Sequence, residues 1–174
     1  MIFTYTFHTP FGELILGDYE NNLVLSDWKY RKMRTQIDLR IKNYLQCDFI
    51  EKQTGLHQLV MTQLEAYFVK KLTVFSIPLL TIGTPFQKRV WQELTKIPYG
   101  KTASYLELSK AMENEKAIRA VASANGANAL SIIIPCHRII GNKGELIGYA
   151  GGIDTKRKLL SLENSWNQTS LNLE

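Results

Sequence analysis

The sequence predicts an α+β chain: a small N-terminal antiparallel β-sheet with a helix, then a winged helix-turn-helix-like half. Three observations lead there. The first thirty residues alternate aromatic and β-branched runs with turn signals. Thr84-Pro85-Phe86-Gln87 and Ser104 with Glu107 each form a capping box at the start of a helix-period run. Two short helical segments then follow one another across "ENE", ahead of a glycine-rich stretch.

Taken in order, "MIFTYTF", "ELILG" and "LVLSDW" read as strands separated by the turns "HTPFG" and "DYENN", giving a three-stranded meander. Residues 29–42, "KYRKMRTQIDLRIK", are strongly basic and fit neither period, so their role stays unassigned. Leu56, Leu59, Val60, Gln63, Leu64, Tyr67 and Phe68 form one helical face. "TVFSIPLLTIG" reads as extended, with Pro78 and Gly83 marking a boundary. A first domain is expected over 1–82 and a second over 83–163.

The second opens with a helix carrying Val90, Trp91, Leu94 and Ile97, stopped by Pro98-Tyr99-Gly100. "SYLELSKAM" and "KAIRAVASANGAN" supply the paired helices. The second of these is rich in small residues, which suits close approach to another surface or tight core packing. "ALSIII" reads as a strand, "GNKGELIGYAGG" as a hairpin or wing, and "DTKRKLLSLE" as a basic final helix. The polar tail, 164–174, is expected to fray.

Composition narrows the functional classes. Apolar content of 45% and charged content of 21% are ordinary for a globular protein. No run approaches a membrane span and no N-terminal stretch has the pattern of a secretory signal, so no membrane partner is expected. Two cysteines exclude a disulfide scaffold, and three histidines without CxxC leave no zinc-ligand spacing. A reducing, cytoplasmic location follows as the expectation. Net charge is +5, and residues 84–163 hold 12 Lys/Arg against 7 Asp/Glu, whereas 1–83 hold 9 against 8. A basic second half suits a polyanion, because neutralising phosphates releases counterions.

The chemistry concentrates in "IIIPCHRIIGNKG", residues 132–144. The thiolate is the nucleophilic form of cysteine and free thiols titrate near pH 8.5, so Cys136 needs a base, a cation or a helix end. His137 and Arg138 stand beside it. Neighbours in a strand point to opposite faces, so either Pro135 bends the chain or a water links sulfur to imidazole. A base needs an orienter on its other nitrogen, and Glu163, beside the apolar "LLSL" of the last helix, is placed either for that or as a solvated helix end.

"IPCHRII", "GYAGG", "TPFQKRVWQEL", "IPYGKTASY", "RAVASANGAN" and "LLSLE" together resemble the O6-alkylguanine-DNA alkyltransferases, the methylated-DNA–protein-cysteine methyltransferase family. The likeness spans about residues 84–163, and "TPFGELILG" adds weaker support. It implies a ribonuclease H-like first domain and an active site in the second. It implies Cys136 as alkyl acceptor, His137 as base through water, Glu163 as its orienter, Tyr105 as proton donor to guanine N3, and Asn128 as a tie between recognition helix and active-site segment. It places Arg119 as the finger entering the duplex, with Ala120, Ser123, Ala124 and Arg138 among the DNA-binding residues. Pro135, Tyr149, Ala150 and Gly151 would line the base pocket. The partner implied is double-stranded DNA containing O6-alkylguanine, met by a monomer, with no cofactor and no metal. Ala150 stands where some relatives carry serine, and "ENEK" lacks their glycine-proline pair.

Physical chemistry agrees with that division. A sulfur cannot reach O6 inside a duplex, so the nucleotide must be flipped out. A thioether product offers water no carbonyl, so one turnover per molecule is expected. Two rival readings are a sensor that binds alkylated DNA without chemistry and a cysteine hydrolase.

Overall fold

A computed structural model describes residues 1–165, and residues 166–174, most of the expected tail, lie outside the described residues. Strands β1 (Ile2–Thr9), β2 (Gly12–Tyr19) and β3 (Asn22–Trp28) form the expected antiparallel meander. Glu20 and Asn21 join β2 to β3 with φ of 48° and 61°. Two positive values in a two-residue loop match the strand twist of a type I′ turn. Asp18 Oδ1 accepts from the Asn21 amide at 2.9 Å and locks it.

The unassigned basic stretch resolves into a turn and helix α1 (Arg34–Leu45), which buries Ile37 and Ile41. It leads to β4 (Phe49–Glu51), parallel to β1, so the sheet order is β3-β2-β1-β4. Three largely exposed residues at a sheet edge carry no period, which is why β4 escaped the sequence reading. Helix α2 (Gly55–Phe68) buries Leu56, His57, Val60, Leu64 and Tyr67. Leu59, assigned to that face, is exposed, and His57 sits inward in its place. Residues 73–83 run extended beside β3, where the Leu23 amide donates to the Pro78 carbonyl and the Leu80 amide to that of Leu23.

Helix α3 (Pro85–Thr95) begins at the Thr84/Gln87 capping box and buries Val90, Trp91 and Leu94. The two-residue strand β5 (Ala103–Ser104) leads into α4 (Tyr105–Ala111), capped by Ser104 and Glu107. A 3-10 turn at Glu115–Ala117 feeds α5 (Ile118–Gly126). β6 (Ile139–Ile140) pairs in parallel with β5, and α6 (Ile153–Leu162) closes the described chain. One apolar cluster joins Leu14, Leu16 and Trp28 of the sheet to Tyr67, Trp91, Leu94, Ile134, Ile139 and Leu159. The two halves of the sequence therefore share a core.

Two expectations are corrected. "ALSIII" is a tight turn, not a strand. Ser26 N–H reaches the Ala129 carbonyl, Ile134 N–H closes onto Leu130, and Ile132 has φ of 72°. A β-branched residue held there costs on the order of 1–3 kcal/mol and persists only where surroundings over-determine it. Burial of Ile132 and Ile134 in the core supplies that constraint. "GNKGELIGYAGG" is an irregular loop, not a hairpin. The buried Lys156 ammonium donates to the carbonyls of Ile139, Ile147 (2.9 Å) and Gly148 (3.2 Å), occupying acceptors that strand pairing would have used.

Candidate active site

Cys136 opens a 3-10 turn, Cys136–Arg138, immediately after Pro135. With three residues per turn, successive side chains diverge by about 120°. The cysteine and histidine are thus sent to different environments, as their adjacency alone could not show. Cys136 is buried at the wall of a cavity, and His137 is fully buried behind it.

Asn128 positions the thiol. Its Nδ2 donates to the Ile134 carbonyl at 3.0 Å and to Cys136 Sγ at 3.2 Å, while its Oδ1 accepts from the Leu130 amide at 3.0 Å. One side chain thereby spans the turn between α5 and the cysteine. Burial raises the Cys136 pKa, and the Asn128 hydrogen bond opposes that rise.

His137 Nε2–H donates to Glu163 Oε1 at 2.8 Å, which leaves Nδ1 as the lone-pair nitrogen; it has no hydrogen-bond partner among the described residues. Glu163, the residue capping α6, also accepts from Arg138 Nε (2.9 Å), Arg138 Nη2 (3.0 Å) and the Tyr67 hydroxyl (2.7 Å). Burial alone would raise its pKa, but the hydrogen bonds from His137 and Arg138, together with the Arg138 charge, outweigh burial and hold it at about 2. Burial likewise lowers His137, with Glu163 opposing. The imidazole is therefore neutral, oriented and able to accept a proton.

The cavity holds about 500 Å³ and is bordered by Cys136, Tyr105, Asn125, Tyr149 and Gly151 from the second half and by Tyr30 to Met33 from the first. The Tyr105 hydroxyl lies 3.5 Å from the Ile147 carbonyl, and burial followed by the nearby Cys136 raises its pKa, so it keeps its proton to donate. Trp28 Nε1–H donates to the Tyr149 hydroxyl at 3.0 Å, fixing that ring at the wall. A Cβ on Gly151 would meet the Trp28 indole at 2.6–2.9 Å, so this wall requires glycine. Ala150 lines the same wall.

Some expected residues lie elsewhere. Arg119, Ala120 and Ser123 are exposed along α5, but Ala124 is turned into the core, its carbonyl accepting from Trp91 Nε1 at 2.8 Å. Helical period forces this, since Ala124 shares the inward face with Val121. Arg138 is buried against Glu163 and donates to the Ile97 carbonyl at 2.7 Å, so it holds the active site together and offers DNA no guanidinium. Pro135 borders a second cavity with Phe75, Ile97 and Tyr99, on a different side of the turn from the cavity at Cys136.

Other functional residues went unrecognised. Tyr67 looked like core, and its hydroxyl shows in no period. Lys156 did carry a signal, because it lies three and four residues before Leu159 and Leu160 on the buried face of α6. The basic stretch acts internally: Arg31 donates to Asp27 (3.0 Å), the Asn128 carbonyl (2.9 Å) and the Gly126 carbonyl, and Arg40 to the Ala127 carbonyl (2.8 Å). Arg34 shares Asp27 at 2.9 Å. Arg31 and Arg40 thereby tie the first half to the segment that carries Asn128. Among the described residues no cluster of three or more His, Cys, Asp or Glu could hold a metal ion, and no helix is long and apolar enough to cross a membrane.

A thiol at a cavity wall, with a neutral imidazole and an ionised carboxylate behind it, is the layout of a protein that uses cysteine as nucleophile. The comparisons with known proteins narrow that class. Residues 85–165 match the family model of the 6-O-methylguanine DNA methyltransferase DNA-binding domain. The chain is 42% identical over 176 residues to the methylated-DNA–protein-cysteine methyltransferase of Mycobacterium leprae, covering 99% of each. It is 40% identical over 167 residues to the constitutive one of Bacillus subtilis, covering 91% of this chain and 93% of that one. Among solved structures, Mycobacterium tuberculosis OGT in complex with DNA aligns at TM-score 0.81 and 39% identity, over 94% of this chain and 93% of that one. The chain belongs to the methylated-DNA–protein-cysteine methyltransferase family.

Proposed function

We propose that this protein repairs duplex DNA by taking the alkyl group from O6-alkylguanine, and from O4-alkylthymine, onto Cys136, once per molecule. The observation that carries the reading is the Cys136 thiol at the cavity wall with the His137–Glu163 pair behind it, in a chain of this family.

Arg119, Ala120 and Ser123 supply the exposed face of α5 toward the minor groove, where small side chains permit close approach and Arg119 fills the space left by the flipped nucleotide. Phosphate contacts outweigh base-edge reading, because damage occurs at any sequence. In this reading α4, α5 and the loop after β6 act as a winged helix-turn-helix within 83–163, and residues 1–82 form a ribonuclease H-like supporting domain.

The flipped base enters between Tyr105 and Tyr149. The Cys136 proton passes through a water to His137 Nδ1, and Glu163 stabilises the imidazolium. The thiolate attacks the alkyl carbon in line, forming S–C as C–O breaks, and the electron pair leaves on guanine. Tyr105 gives guanine N3 a proton, neutralising the developing charge. The transfer balances without a cofactor. The protein works as a monomer in a reducing compartment, the cytoplasm, where Cys136 stays a thiol.

The test is to incubate the protein with duplex DNA carrying O6-methylguanine and weigh the Cys136 peptide. A gain of one methyl group, stoichiometric with protein, is expected. Tight binding without that gain would mark a sensor, and continued turnover a hydrolase.

A further inference from the structure

We propose that residues 30–33, contributed by the first half of the chain, set the size of alkyl group that Cys136 accepts, with Met33 as the specificity-determining side chain; this rests on the transfer reading above. A cavity of about 500 Å³ is on the scale that holds drug-sized ligands, more than a methylated purine fills. The surplus volume matters only for the substituent that the base carries.

The walls built by the second half are fixed. Asn128 holds Cys136, and Gly151 is seated against the Trp28 indole with no space for a Cβ. On the first-half wall, Arg31 is buried and clamped to Asp27 and to the Gly126 and Asn128 carbonyls. The Tyr30 hydroxyl donates to the Gly151 carbonyl at 3.1 Å and lies 3.1 Å from Thr155 Oγ1. Arg34 is held by Asp27 and Asp38. The backbone is thus anchored on both sides of residues 32 and 33.

Between those anchors stand two apolar side chains that the core does not claim, Tyr30 at 54% and Met33 at 51% exposure, both bordering the cavity. The Tyr30 ring is tied down through its hydroxyl, whereas Met33 is unbranched and adapts its shape to what packs against it. A methyl substituent is too short to gain much from that surface. A benzyl-sized group, larger and flat, fills the surplus volume and gains dispersion contact with Met33. Changing the bulk of residue 33 therefore alters large adducts more than small ones.

The experiment uses the full chain and two duplexes of one sequence, one bearing O6-methylguanine and the other O6-benzylguanine. Second-order transfer constants are read from the mass of the Cys136 peptide. Met33→Trp is expected to lower the benzyl-to-methyl ratio at least tenfold by occupying the surplus volume, and Met33→Ala to lower it at least threefold by removing the dispersion contact. A merely structural role would slow both substrates alike and leave the ratio in place. A ratio within twofold of wild type in folded variants overturns the proposal; if Met33→Trp fails to fold by circular dichroism, Met33→Ala decides. Wild-type protein gaining no alkyl group from either duplex would refute the transfer reading itself, a different failure.

Discussion

Glu163→Gln isolates the charge at the centre of the active-site network while keeping its shape. The carboxylate accepts from His137, from two nitrogens of Arg138 and from Tyr67, and its pKa falls from 4.5 to about 2. At about 1.4 kcal/mol for each tenfold change in proton affinity, the ionised form contributes about 3 kcal/mol to folding. Breaking a buried pair by removing one partner costs about 3–5 kcal/mol, so the two routes agree. The sign is that of a depressed acid. Its stabilisation is complete above the unfolded value and disappears as pH falls toward the folded one. Urea unfolding at pH 7 should show Glu163→Gln less stable by about 3 kcal/mol. The wild type should lose the same amount between about pH 5 and pH 2, and the variant should lack that part of the pH dependence. Losing the orienter of His137 should also slow methyl transfer by roughly 10²–10⁴-fold. A variant within about 1 kcal/mol of wild type, with an unchanged acid limb, would refute the account of a charged hub.

Gly151→Ala should cost about 1–3 kcal/mol through overpacking on Trp28, and thermal melts of the double variant with Trp28→Phe should recover part of the loss. Arg31→Met strips a donor from the Gly126 and Asn128 carbonyls and a cation from Asp27, and should destabilise by about 3–5 kcal/mol; denaturant titration measures it, and a neutral result would remove the clamp. Lys156→Met leaves three carbonyls without their ammonium, at about 1–3 kcal/mol for an unsatisfied group, and hydrogen exchange should show residues 141–152 opening more readily than α3. Burial holds His137 neutral below the ordinary histidine value of about 6.5. A group lowered in this way lets the unfolded chain bind a proton that the native state resists, so stability falls as pH drops through that value. His137→Gln should flatten that limb in urea titrations.

Local rules made much of this protein legible from its residues. The capping boxes at Thr84 and Ser104 begin α3 and α4 where expected, because a cap is a contact between residues three apart. The meander of β1 to β3 follows from period-two runs and their turns. Cys136, His137, Glu163, Asn128 and Tyr105 were chosen by residue type and motif, and the fold gathers them around one cavity or directly behind it.

The remainder was decided by contacts between residues far apart in the chain. Arg138 read as a DNA-binding residue and the basic stretch stayed unassigned, since nothing local reveals Glu163 or Asp27 as their partners. Leu59 lost its expected place to His57 because the sheet above α2 determines which stripe is covered. Ile132 takes a left-handed backbone, against its own preference, under a core that both halves build. Residue type and the resemblance of the motifs pointed to the groups proposed to react. Only tertiary packing determined their protonation, their orientation and the first-half wall they face, because those depend on burial and on charges brought together across about a hundred residues.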